Sequence, residues 1–133
     1  MPHRRICLLA ALACFLFSGL PALAQSGEWR SMLEGGSLGS WRETSFTGKG
    51  KVETAAGTIH LLPGAPMTGV TWSADFPKTN YEIRWEARRV QGNDFFSSLT
   101  FPVGAAFATW VTGGWGGDIV GMSSIDGWDA SEN

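Results

Sequence analysis

Hydrophobic and polar positions divide the chain into two regimes. Ile6 to Phe17 is an unbroken apolar run of 12 residues behind Arg4 and Arg5, whereas from Gln25 onward apolar residues come in short runs interrupted by turn formers. Lys51 to Thr54, Thr58 to Leu62, Gly69 to Phe76, Tyr81 to Val90, Phe95 to Val103, Phe107 to Thr112 and Ile119 to Met122 have strand-like composition and length. Ala56-Gly57, Pro63-Gly64-Ala65-Pro66, Pro77 to Asn80, Gln91 to Asp94 and Gly113-Gly114 separate them. The cleanest pattern is Tyr81 to Val90, where Tyr81, Ile83, Trp85 and Ala87 alternate with Glu82, Arg84, Glu86 and Arg88. Strict period two predicts one buried and one wet face, a property of antiparallel sheets. Gln25 to Ser45 is too irregular to assign and is expected to wrap an edge. Seven short strands predict an all-β, antiparallel domain.

The first regime reads as a secretory signal peptide over residues 1–24, with basic residues, an apolar core and the small-residue site Ala22-Leu23-Ala24 before Gln25. Twelve residues rise about 18 Å as a helix, against a hydrocarbon layer of about 30 Å. No membrane span is therefore expected after cleavage, and the protein is expected to be extracytoplasmic, periplasmic or secreted. An uncleaved N-terminal anchor is the alternative.

Composition changes the picture in two ways. Arg4 and Arg5 leave with the leader, so a chain of 10 Lys+Arg and 12 Asp+Glu becomes one of net charge −4. That balance gives no footprint for nucleic acid. Cys7 and Cys14 leave as well, and the exported part holds no disulfide. The 18 Gly and 7 Trp, nearly all in residues 25–133, suit a turn-rich β protein.

Leu33-Glu34-Gly35-Gly36-Ser37-Leu38-Gly39-Ser40-Trp41, Asn93 to Gly104, Gly113-Gly114-Trp115-Gly116-Gly117 and Ser123 to Gly127 occur in an order that resembles an uncharacterised branch of the exported bacterial 3-keto-disaccharide hydrolase domains. The resemblance implies a concanavalin A-like (jelly-roll) sandwich and a carbohydrate-active role, hydrolytic if the family activity carries over. The rival class is a non-catalytic glycan-binding or cell-envelope interaction module. The Asn-Ser-Gly and Glu-x-Gln strands of better-studied members do not occur in this chain. Family domains also run on beyond the position of Asn133, so residues 25–133 are expected to be the N-terminal part of a sandwich whose C-terminal half is missing.

Candidate chemistry is sparse. Glu82-Ile83-Arg84-Trp85-Glu86 places two carboxylates on one strand face, but their Cα atoms are roughly 13 Å apart and Arg84 between them favours both ionised forms. A retaining glycosidase needs carboxyl groups about 5–5.5 Å apart with one protonated, and no residue is assigned a catalytic role. Trp115, set between pairs of glycines, is a candidate sugar platform, with Asp118 as an acceptor and Trp110 or Trp128 as a second platform. The competing reading makes the glycines a bulge or sheet corner and Trp115 a core residue. Asp126, Asp129 and Glu132 recur every third residue and can cap a structural Ca²⁺, or simply be solvated; no other cofactor is expected. His60 has no His or Cys companion in residues 25–133 with which to bind zinc.

The leader reading makes a direct prediction. Protein exported by a bacterium should begin at Gln25 on N-terminal sequencing, and an intact Met1 on exported, membrane-free protein would overturn it.

Overall fold

A computed structural model describes residues 27–132. The leader assigned to residues 1–24 lies outside the described residues. The chain divides into two units, Met1–Arg30 and Ser31–Asn133, and all the strands described belong to the second. Among the described residues there are seven strands and no helix: β1 Trp41–Glu43, β2 Val52–Ala55, β3 Thr58–Leu61, β4 Val70–Trp72, β5 Ser97–Val103, β6 Ala106–Gly114 and β7 Ile119–Ser123. They form three antiparallel sheets, of order β1-β4, β2-β3 and β5-β6-β7.

Turn chemistry accounts for the tightest hairpin. β2 and β3 pair from Ala55↔Thr58 outward, which leaves only Ala56 and Gly57 to reverse the chain. Both have positive φ, 46° and 74°, as a type I′ turn requires and as the right-handed twist of the flanking strands favours. Gly57 adopts this freely, whereas Ala56 carries a Cβ in the left-handed region. The β1-β4 pair has a different cement. Trp41 lies opposite Trp72 in the register, and the two rings meet edge to face at 5.2 Å between centroids. The Trp41 indole N–H donates to the Met32 carbonyl at 2.8 Å, tying the preceding segment to this pair.

The three-stranded sheet is the largest element. Its register sets Leu99 opposite Trp110 and Trp110 opposite Met122. One face therefore carries Leu99, Phe101, Ala108, Trp110, Thr112, Val120 and Met122, and the other Ser98, Thr100, Pro102, Phe107, Thr109, Val111, Gly121 and Ser123. The buried hydrophobic residues are Ala108 and Val111, 4% and 3% exposed on opposite faces of β6, and Ala130. Ala130 packs over Gly121 and donates its N–H to the Ser123 hydroxyl at 2.9 Å, so the C-terminal turns fold back on the Val111 face.

Two expectations need correction. Tyr81 to Val90, the most regular pattern in the sequence, forms no ladder and is not a strand. It runs antiparallel beside the free edge of β5 and touches it through side chains. The Gly104 N–H donates to the Lys78 carbonyl at 2.8 Å, the Tyr81 hydroxyl donates to the Pro102 carbonyl, and the Trp85 indole N–H donates to the Ser97 hydroxyl at 3.2 Å. Tyr81 and Ile83 are half-buried between exposed Glu82 and Arg84, but the alternation ends at Trp85, which is 43% exposed. Period two fixes which side chains share a face; it does not supply the neighbouring backbone that a ladder needs. The second correction is in Gln25 to Ser45, where Trp41–Glu43 is strand β1. Three residues are too few for alternation to register.

The hairpin predicts a gain-of-stability variant. Ala56→Asn builds the Asn-Gly pair favoured by type I′ turns and should raise stability by about 0.5–1 kcal/mol in a denaturant titration. A loss would show that Ala56 is not strained in this turn.

Candidate functional site

Alternation along β5, β6 and β7 carries Leu99, Trp110 and Met122 straight across one sheet face. The segment 78–85 stands beside that face as a wall, fixed by the Lys78, Tyr81 and Trp85 contacts to β5 and its turn. Between wall and sheet lies an open groove of about 590 Å³, within the range of small-molecule sites. Tyr81, Ile83 and Trp85 line it from the wall, and Phe101, Trp110 and Met122 from the sheet. Lys78, Asn80 and Glu82 border it as well. The Trp110 indole N–H is held by the Thr112 hydroxyl at 3.0 Å, which fixes the ring against the sheet and leaves its surface apolar.

The predicted platform residues separate in space. Trp110 lies in the groove, but Trp115 lies in the β6-β7 turn, where it meets Phe95 at 5.3 Å between ring centroids. The cause is a bulge between Thr112 and Gly114. A Cβ built on Gly114 would stand 2.9 Å from Val111 Cγ1 and 3.1 Å from the Phe95 ring, which puts Phe95, and Trp115 with it, at the Val111 side of the sheet. Trp115 itself has φ 50° and is 43% exposed. The Asp94 carboxylate fastens this turn, accepting the Phe95 N–H at 2.8 Å and the Gly116 N–H at 2.9 Å. Asp118 is exposed at the end of the same turn, and Trp128 is exposed in the turn closed by the Ile125↔Trp128 bridge. Sequence reasoning singled out the glycine-flanked indole and missed Trp85 and Tyr81 as groove residues. The signal was their shared odd-numbered face with Ile83.

The other candidates are placed as follows. Asp129 accepts the Ser131 N–H and hydroxyl at 2.8 and 2.6 Å, and Glu132 accepts the Asp129 N–H at 3.3 Å, so both carboxylates brace local turns. Asp126 lies upstream in the same stretch with φ 51°. Among the described residues no three His, Cys, Asp or Glu side chains are grouped to hold a metal ion. Of the Glu82 and Glu86 pair, Glu82 lines the groove and Glu86 does not. His60 contacts the Thr58 hydroxyl at 3.0 Å in the β2-β3 hairpin. In that hairpin the Glu53 carboxyl is held below its ordinary range by a hydrogen bond from Lys51 and by the charges of Lys51 and His60, and Lys51 is raised by the same partner. This exposed pair favours folding above the unfolded Glu53 pKa and loses its effect as the pH falls through the depressed one.

No protein-family model, curated protein or solved structure matches the chain.

The turn geometry gives Asp94 and Asp118 opposite weights. Asp94→Ala strands two N–H groups at the start and end of the Phe95–Trp115 contact and should cost about 1–2 kcal/mol, whereas Asp118→Ala should stay within about 0.5 kcal/mol. Equal shifts in urea midpoints would show that Asp94 does not fasten the turn.

Proposed function

We propose that the chain is an exported, non-catalytic glycan-binding module, built as part of a concanavalin A-like (jelly-roll) sandwich related to the 3-keto-disaccharide hydrolase domains. The observation that carries this reading is the groove in which Tyr81, Trp85 and Trp110 converge beside Lys78, Asn80 and Glu82. Sugar rings present apolar C–H faces ringed by hydroxyls, and aromatic faces with a few polar groups suit both. Antiparallel all-β construction, the resemblance of Leu33 to Trp41 and Asn93 to Gly127, and the leader-like residues 1–24 support the fold type, the carbohydrate partner and an extracytoplasmic location. Among the described residues that line the groove, Glu82 is the one carboxylate. Glycoside hydrolysis by the common route needs two acidic groups flanking one bond, which is why binding is preferred to the hydrolysis that the resemblance implies.

Titration of the full chain with neutral β-linked gluco- and xylo-oligosaccharides, followed by tryptophan fluorescence, tests the reading. Trp110→Ala should weaken binding about tenfold, the loss of one stacking platform of roughly 1.4 kcal/mol. Trp115→Ala should leave the affinity near that of the parent. Unchanged binding in Trp110→Ala would remove the groove from consideration, and release of reducing sugar from the same oligosaccharides would restore the hydrolytic reading.

A further inference from the structure

The odd-numbered face of segment 81–89 does not stay apolar. After Tyr81, Ile83, Trp85 and Ala87 it ends in Arg89, a cation where the pattern calls for another hydrophobe. Arg89 reaches back over the sheet. Its guanidinium lies 5.3 Å from the centre of the Phe96 ring, and its terminal nitrogen is 3.1 Å from where a Cβ of Gly113 would stand. The missing side chain at Gly113 thus makes the room that the guanidinium fills. A second open cleft, of about 320 Å³, is lined by Arg89, Phe96, Thr112, Gly113 and Val120.

We propose that this cleft is an acid-binding subsite of the glycan groove and that the module recognises carboxylate-bearing saccharides, with Arg89 holding the carboxylate. The inference rests on the glycan-binding reading and deepens it. Three observations carry it. Groove and cleft share one sheet face, because Trp110 and Thr112 on β6, and Met122 and Val120 on β7, are each two residues apart. One such step is about 7 Å, so a sugar on the Trp110 ring puts its own substituent or its neighbour's within reach of Arg89. The guanidinium is also uncommitted to protein charge. No carboxylate of the described residues lies within ion-pair distance of Arg89, the ion pairs being Lys49 with Glu43 and Lys51 with Glu53, while Asp94 is spent on the N–H groups of Phe95 and Gly116. Finally, Thr112 already accepts the Trp110 indole N–H, so its hydroxyl proton is left to donate to an anion beside Arg89.

A planar guanidinium steadied on an aromatic ring presents paired N–H donors that match the two oxygens of a carboxylate. The chain has a net charge of −2, so it has no general field to draw polyanions and acid recognition here is local. A glucuronate residue, with its carboxylate projecting from a ring that stacks as glucose does, satisfies groove and cleft together.

The test compares an oligoglucuronate with the neutral gluco-oligosaccharide of the same linkage and length, by isothermal titration of the full chain. The oligoglucuronate should bind about tenfold more tightly in low salt, as expected for one charge-assisted bidentate contact. That ratio should fall to about one in Arg89→Gln, and the preference should shrink at high ionic strength. Equal affinity of the two ligands for the parent chain would overturn the acid subsite and leave the glycan reading standing. Binding of neither would overturn both. A ratio preserved in Arg89→Gln but lost in Lys78→Gln would move the acid site to the groove's own ammonium and overturn the assignment to Arg89.

Discussion

Register across β5, β6 and β7 is the constraint from which the rest of the groove follows. Leu99, Trp110 and Met122 share a face only because the ladders pair them directly. A slip of one residue would exchange that face for Thr100, Thr109 and Ser123 and abolish the apolar floor. The register is pinned at both ends of β6. At one end a two-residue turn joins Val103 to its partner Ala106; at the other, a glycine bulge and the Asp94 carboxylate set the exit toward β7. Burial reinforces this, since Ala108 and Val111 are the best-packed side chains of the sheet and point to opposite sides.

The wall of the groove is held more lightly. Segment 78–89 meets β5 and its turn through one backbone hydrogen bond, a tyrosine hydroxyl, an indole N–H and a cation over a ring. Contacts of this kind fix position at a few points, whereas β6 is held by ladders on both sides. The groove thus joins a floor set by register to a wall set by point contacts.

Much of this was legible in the sequence, for reasons that differ by element. β2, β3, β5, β6 and β7 are bounded by glycine, proline or polar turn residues that act locally, and their positions follow from those residues. β1 was not legible, because its three residues are specified by Trp41 meeting Trp72 across a separation of about 30 positions, which no local pattern encodes. The reverse failure is Tyr81 to Val90, whose alternation is strict as far as Arg88 and whose backbone nevertheless finds no ladder. Of the site, Trp110 was named as a second platform and lines the groove, whereas Trp115, singled out by its flanking glycines, lies in the β6-β7 turn against Phe95. Their function is steric, and which sheet face Trp115 accompanies is decided by a one-residue bulge that composition alone does not locate.

That bulge has a consequence for substitution at Gly113. At Gly113 the inside-outside phase of β6 is reset, so side chains beyond it no longer follow the alternation that orients Trp110 and Thr112. The Trp115–Asp118 turn stays tied to the sheet all the same, because Gly116 is fastened to Asp94 and Gly117 lines the Arg89 cleft. A side chain at Gly113 would therefore act twice, on the phase of the residues beyond it and on the room that the Arg89 guanidinium occupies.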